Sequence, residues 1–226
     1  GMHWLPPYVP KTCEKGAAVS WTVIGALVAK AERSIPPSGM VEGRRWISLR
    51  LDGTGFSKVV KSLRRFGVLE PHGFSAEFAG IMQQCCQELM LEFHAKVGYT
   101  QSHEMTLIIP PASVVRGVQQ SHLRSGRVVK LCSVASAVLT ALFNAKVARL
   151  CLDKGIIPDD HLLSHFDCRL GHYSSWEEAR ALLLWRAYDC SVNSVSDAVH
   201  HTKEAGQAKS MNTKSKLSWL HQRNLL

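Results

Sequence analysis

At 226 residues, the chain is long enough for one generous domain, or one domain with an appendage, around a sizeable core. Hydrophobic content of 46% with 20% charged residues is that of a soluble globular protein, and no internal repeat or low-complexity tract argues otherwise. The 27 basic against 18 acidic residues give +9, which points to a polyanionic partner, nucleic acid before an acidic membrane surface.

Taken in order, residues 3–16 are Pro-rich and irregular, and the leading Gly1-Met2 reads as a cloning remnant. The uncharged run between Lys15 and Lys30 has 14 residues, short of the roughly 20 a membrane-spanning helix needs. It is read as a buried amphipathic helix with Val19, Val23, Ile24, Leu27 and Val28 inward, and no membrane partner is expected. Pro36-Pro37 breaks it. Trp46 to Leu51 alternates apolar and polar residues, the period of a half-buried strand. That strand ends at Asp52, followed at once by the tight turn Gly53-Thr54-Gly55-Phe56. Glycines there let backbone N–H groups approach a phosphate, and the acid beside them can hold a divalent cation.

Residues 57–73 carry Lys58, Lys61, Arg64 and Arg65 among few apolar positions and are read as a basic exposed segment able to meet RNA. Ser75 caps a core-facing helix to about Lys96, with Phe78, Ile81, Met82, Cys85, Leu89 and Phe93 on a 3.6-residue period. Val97 to Ile109 reads as a hairpin with its corner at Ser102-His103-Glu104, and 112–126 as a polar, mobile loop. A second long helix spans about Arg127 to Leu150, a last strand 165–170, and the capping box Ser175-x-x-Glu178 opens a third helix. The basic tail carries one short helix around Trp219. Strand, helix, hairpin, helix, strand is the βαββαβ order of a ferredoxin-like sheet, the α+β architecture of polymerase palms. The division expected is 1–45 for the N-terminal segment and helix, 46–190 for the palm-like domain, and 191–226 for the helical, basic tail.

Two acids at the strand end and the hairpin corner suit metal-assisted nucleotidyl transfer, in which ions clamp a triphosphate and lower the pKa of the attacking hydroxyl. Asp52 and Glu104 would face each other across neighbouring strands. Arg127 and Lys130, one turn apart at a helix start, suit phosphate oxygens. The seven cysteines, Cys13, Cys85, Cys86, Cys132, Cys151, Cys168 and Cys190, form no Cys-x-x-Cys pair and are odd in number. They read as reduced thiols in an intracellular, reducing compartment, mitochondrial or cytoplasmic. His161, His165 and Cys168 lack the second ligand pair a structural zinc needs.

Leu49-Arg50-Leu51-Asp52-Gly53-Thr54-Gly55-Phe56, Tyr99-Thr100-Gln101-Ser102-His103-Glu104, Arg127-Val128-Val129-Lys130-Leu131 and Trp185-Arg186-Ala187-Tyr188-Asp189-Cys190 occur in that order. Over about Trp46 to Cys190 this set resembles the histidine-tRNA guanylyltransferase family and its relatives, the reverse (3′→5′) nucleotide polymerases. The resemblance implies a palm in which a 5′-phosphorylated RNA end is activated and extended by a nucleotide, with Mg²⁺ held by Asp52 and the Gly53 carbonyl. It also implies a triphosphate cradle made by Arg50, the Gly53–Phe56 backbone, Arg127 and Lys130, with Arg186 and Asn193 towards RNA.

The departures bear on chemistry. The family's Gln-Ser-Asp-Glu corner is Gln101-Ser102-His103-Glu104 here, which puts imidazole, a poor Mg²⁺ ligand, in place of a second metal-binding aspartate. Its Lys-Pro-Asn segment, which serves the activating ATP, is Glu70-Pro71-His72, and its His-Ile-Asn-Asn element is Ser191-Val192-Asn193-Ser194. The expectation is a catalytically degenerate relative, a pseudoenzyme that holds a nucleoside triphosphate or an RNA 5′-triphosphate end. It would work as a homo- or hetero-oligomer with family-like or RNA-processing subunits. Two alternatives stay open: an active nucleotidyltransferase using Glu104 and adding GTP to a tRNA 5′ end, and a purely structural scaffold subunit.

Overall fold

The computed structural model describes residues 20–200, 202, 205–208 and 210–225; the irregular 3–16 segment, Val19 and Cys13 lie outside them. Leu27–Ala181 make one compact unit, and the described residues before Leu27 and from Leu182 onward make another.

In the larger unit a four-stranded sheet is built from β1 (Trp46–Thr54), β2 (Val97–Gln101), β3 (Glu104–Ile109) and, after the long helix described below, a last strand His165–Tyr173. Its order is β2, β3, β1, last strand, and every neighbouring pair is antiparallel. That is the ferredoxin-like arrangement the element order implies. Ile47, Leu49 and Leu51 project from one face of β1, level with Ile109, Leu107 and Met105 on β3. All six are at most 4% exposed, and each such fully buried side chain contributes about 1.5–3 kcal/mol of transfer free energy.

Helices α1 (Trp21–Arg33), α2 (Phe56–Arg65), α3 (Ala76–Glu92) and α4 (Val128–Asp153) come in chain order around these strands. Residues of α2, α3 and α4 share one core cluster with the apolar sheet face. The cap of α3 is as expected: Phe78 N–H donates to Ser75 Oγ at 3.3 Å. Along α4, Val128, Leu131, Ala135, Leu139, Phe143, Val147 and Cys151 recur at three- and four-residue intervals and are buried. By length and composition α4 is the one described helix that could cross a membrane, yet this stripe belongs to the core cluster. The last strand is therefore preceded by short hairpin strands β4 (Val114–Val115) and β5 (Val118–Gln119), and it is β6 (His165–Tyr173).

Three expectations are corrected. Residues 57–73 are not simply an exposed basic segment: 56–65 form α2, because Phe56, Val59 and Leu63 recur on one face and bury it. Residues 112–126 are structured: Arg116 and Gly117, both at positive φ, turn the β4–β5 hairpin, and His122 Nε2 lies 2.8 Å from the Arg45 carbonyl oxygen. On α1, Val23 and Leu27 are 57% and 59% exposed, while Val28 is buried, so the inner face is narrower than the apolar run suggests.

The second unit holds α5 (Trp176–His200) from Leu182 onward, α6 (Ala205–Ala208) and α7 (Thr213–His221). The capping box at the α5 start is present: Glu178 N–H donates to Ser175 Oγ at 3.2 Å, and Glu178 Oε2 accepts from Ser174 N–H at 2.7 Å. Trp21 stacks on Tyr188 with centroids 4.4 Å apart, and Val195, Val199, Ala208, Trp219 and Leu220 form a small separate core.

Candidate functional site

β1 carries Asp52 to the end of its pairing with β3 and continues through Gly53 to Thr54 beside β6, two residues past the strand end read from the sequence. A Cβ on Gly53 would run into the Phe56 ring, and Gly55 sits at φ +67, the left-handed region, as the N-cap of α2. Phe56 then anchors the turn in a cluster with Phe78, Phe143 and Phe166, at ring-centroid distances of 5.0–6.2 Å. The first turn of α2 carries no acid, so its amides and the partial positive charge of the helix end face the turn unopposed by a carboxylate.

The hairpin corner meets this turn. Asp52 pairs in register with Glu104 on β3 and with Asp167 on β6, so three carboxylates lie in a row on one sheet face. His103 reaches across from the corner, stacked on Phe56 at 5.2 Å and 12°, with its Nε2 3.4 Å from Asp52 Oδ1. Ser102 Oγ lies 3.1 Å from the other ring nitrogen, Nδ1. Ser102 itself holds φ +50, so the two-residue corner that aims His103 is bought with a strained, non-glycine conformation.

Arg50, two residues before Asp52 on the same face, is not directed into the turn. Its Nε and Nη2 donate to the two carboxylate oxygens of Glu32 on α1, at 2.8 and 2.7 Å, and its Nη1 lies 3.8 Å from Glu104 Oε2. The side chains of this Glu32–Arg50–Glu104 chain are each about 10% exposed. Burial pulls the guanidinium pKa down, but the Glu32 hydrogen bonds and charge, with Glu104 and Asp52, outweigh it and leave the pKa raised.

Arg127 and Lys130 are not at this corner. β3 runs back along the sheet from Glu104, and α4 starts beyond its far end, where Arg127 bridges Met40 and Val128 N–H donates to the Gly39 carbonyl. Phe143 of α4 touches Phe56, and Lys130 precedes it by 13 residues, about 20 Å of helix at 1.5 Å per residue. The triphosphate cradle assembled in the sequence is thus split: Gly53, Thr54, Gly55 and Phe56 stand at one end of the sheet, Arg127 and Lys130 at the other.

Lys58, Lys61 and Arg65 line the exposed side of α2. Arg64 is committed elsewhere, donating to the Gly73 carbonyl at 2.6 Å and so holding the loop that carries Glu70, Pro71 and His72. Hydrogen bonds from its own amide and from Ser75 hold the exposed Glu70 carboxyl below the usual range. Arg186 and Asn193 lie in the other unit, where Arg186 Nη2 and Asn193 Nδ2 approach Asp189 Oδ2 at 3.3 and 3.2 Å.

Two residues were not read from the sequence. Glu32 gives no signal there, being one acid among the polar positions of a helix. Asp167 did give one: it stands inside the expected last strand, and antiparallel register with β1 puts it opposite Asp52.

A magnesium pair, implied by the family, does not fit the donor set. Mg²⁺ asks for near-octahedral oxygen ligands at 2.0–2.1 Å. Here the imidazole of His103 stands against Asp52 and the guanidinium of Arg50 against Glu104. Among the described residues no group of three His, Cys, Asp or Glu side chains is placed to hold an ion.

The profile of the tRNAHis guanylyltransferase (Thg1) family matches residues 32–174. An uncharacterized protein, R259, of Acanthamoeba polyphaga mimivirus is 26% identical over 185 residues, 76% of this chain; the chain spans 61% of that relative's length. Among solved structures, a bacterial tRNA(His) guanylyltransferase (Thg1)-like protein in complex with ATP aligns over 90% of this chain and 79% of its own, with TM-score 0.67 and 23% identity. A bacterial tRNA(His) guanylyltransferase (Thg1)-like protein in complex with GTP aligns over 78% of this chain and 75% of its own, with TM-score 0.59 and 24% identity. The Saccharomyces cerevisiae tRNA(His) guanylyltransferase aligns over 86% and 83%, with TM-score 0.63 and 16% identity, so these likenesses share the palm-like fold. The matched stretch runs from Glu32, the partner of Arg50, to the end of β6, and the chain belongs to the tRNAHis guanylyltransferase (Thg1) family.

Proposed function

We propose that this chain holds a nucleoside triphosphate, or the 5′-triphosphate end of an RNA, at the Gly53–Phe56 turn, and is degenerate in catalysis. The observation that carries the reading is His103 Nε2 at 3.4 Å from Asp52 Oδ1, an imidazole standing where nucleotidyl transfer needs a metal-bound oxygen. Support for the ligand comes from the glycine turn at the start of α2, from the family, and from solved Thg1-like proteins in complex with ATP and GTP. The +9 charge and the Lys58, Lys61 and Arg65 face of α2 suit an RNA backbone. We read the protein as an RNA-binding subunit of an RNA-processing assembly, oligomeric with its own kind or with other subunits. Its free thiols suit a reducing compartment, mitochondrial or cytoplasmic.

The test is binding of one short RNA carrying either a 5′-triphosphate or a 5′-hydroxyl, at fixed salt. The triphosphate form is expected to bind about tenfold tighter or better, a difference of about 1.4 kcal/mol. Equal affinity for the two would overturn end recognition.

One observation favours a second reading, an active Mg²⁺-dependent nucleotidyltransferase: Asp52 lies in register between Glu104 and Asp167, so carboxylates other than a residue-103 aspartate flank it. That reading requires incorporation of labelled GTP at an RNA 5′ end, abolished by Asp52→Ala. No incorporation by the intact protein removes it.

A further inference from the structure

The misfit between the implied ions and the residues present leads further. We infer that the corner where β1 meets the hairpin works without a divalent cation, with His103 standing in the place an ion would take beside Asp52. The inference rests on the proposed phosphate site and states how that site is run.

The geometry makes the argument. Asp52 has its side chain 35% exposed and its β6 neighbour Asp167 is exposed as well, but the face Asp52 turns towards the hairpin is covered by an imidazole 39% exposed. The ring is not a loose neighbour. Phe56 stacks on its face, Ser102 Oγ engages Nδ1, and the corner's backbone holds Ser102 at positive φ, so Nε2 is left towards Asp52. An ion bound there would need oxygen ligands about 2.0–2.1 Å from its centre, and the ring occupies that side of the carboxylate. Glu104, the other acid of the corner, is about 10% exposed and tied to Arg50, which is itself held by both oxygens of Glu32. Acid and base thus alternate through Glu32, Arg50 and Glu104. The negative charge of Glu104 is answered inside the protein, which leaves Asp52, with His103 on its hairpin side, and Asp167 as the open acids of the row. Phosphate oxygens entering over Gly53 and Gly55 would meet amides, the start of α2 and an imidazole, with Lys58 one turn along.

The same geometry says what would restore an ion. An aspartate at position 103 would set a second carboxylate against Asp52 with no cation between them, and like charges so placed favour a bound cation.

Mn²⁺ alone, titrated into the 226-residue chain at fixed neutral pH and followed by electron paramagnetic resonance, tests this without any nucleotide. The wild type is expected to show no bound Mn²⁺ that depends on Asp52. His103→Asp is expected to gain one site, at least about tenfold tighter than any residual binding and lost again in His103→Asp/Asp52→Asn. A stoichiometric wild-type site abolished by Asp52→Asn would overturn the inference. So would a folded His103→Asp protein, judged by circular dichroism, that gains nothing. Should that variant fail to fold, GTP affinity of the wild type decides: equal values in Mg²⁺ and in EDTA support the inference, and a loss of about tenfold or more in EDTA overturns it. If GTP binds in neither buffer, the proposed ligand is wrong, while the wild-type Mn²⁺ titration with its Asp52→Asn control still decides the cation question.

Discussion

On one face of β1, Ile47, Leu49 and Leu51 pack into the helices; on the other, Ser48, Arg50 and Asp52 meet Tyr173, Glu32 and His103. The faces are nearly equally dry as far as Arg50: Ile47, Leu49 and Leu51 are 0% exposed, Ser48 0% and Arg50 9%. They are held by different physics. The apolar face is non-directional and tolerates exchange of one hydrocarbon for another of similar volume. The polar face depends on each buried group keeping its partner, because an unpaired charge there costs far more than a missing methyl group. The open end of that second face meets the Gly53–Phe56 turn, so the site takes its shape from a buried ion network on one side and from the Phe56 anchor in the core on the other.

The largest effect should come from the polar face. Arg50→Met leaves Glu32 and Glu104 buried without the guanidinium between them and is expected to cost about 3–5 kcal/mol, read as a shift in the urea midpoint. Adding Glu32→Leu should recover much of that loss, since an apolar pair of similar volume replaces a broken ion pair. A loss below about 1 kcal/mol for Arg50→Met alone would mean that water reaches the pair and the polar face is not dry. Leu51→Ala, one residue on, is expected to cost about 2–5 kcal/mol through lost burial and a cavity, and no partner substitution should rescue it.

A pH test distinguishes the faces next. Burial pushes the Tyr173 hydroxyl up to about 12, against a smaller lowering by its hydrogen bond with Ser48 Oγ at 3.1 Å. An acid whose folded pKa is raised stabilises the native state fully below its unfolded value near 10 and loses that stability as the pH climbs towards 12. The share at stake is about 2–3 kcal/mol for two pKa units. Cys85 and Cys86, in the apolar core and raised to about 12 and 11 by burial, add an alkaline loss of the same sign. Tyr173→Phe should therefore flatten, without abolishing, the fall in Tm between pH 8 and 11. An unchanged slope would show that Tyr173 ionises without unfolding the chain.

The contrast between faces also explains what could be read from the chain. The apolar stripe of β1, the α3 and α4 periodicities and the Ser75 and Ser175 caps are local patterns, and all of them appear in the fold. The polar face was read as the solvated half of a half-buried strand, because nothing near Arg50 announces Glu32, which lies in an earlier helix and two prolines away. α2 was hidden for the opposite reason: four basic residues between Lys58 and Arg65 drew attention from Phe56, Val59 and Leu63. The ordered motifs gave the family and the corner at Asp52 and Glu104, yet motif order carries no distance. Only the return of β3 along the sheet shows that Arg127 and Lys130 start a helix at the other end.

The smallest effect is the sharpest probe of the polar face. Thr106 sits on it in register between Arg50 and Tyr99, is 0% exposed, and its Oγ1 has no hydrogen-bond partner. A buried hydroxyl without a partner costs about 1–3 kcal/mol in proteins. Valine keeps the branched shape and the strand preference while removing the oxygen. Thr106→Val is therefore expected to stabilise the chain by about 1 kcal/mol, a rise of about 2–4 °C in Tm for a chain of this size. A loss of similar size would mean that a bound water completes the hydroxyl's bonding, so that the polar face, ion pairs and hydroxyls together, is as fully satisfied as the apolar face is fully packed.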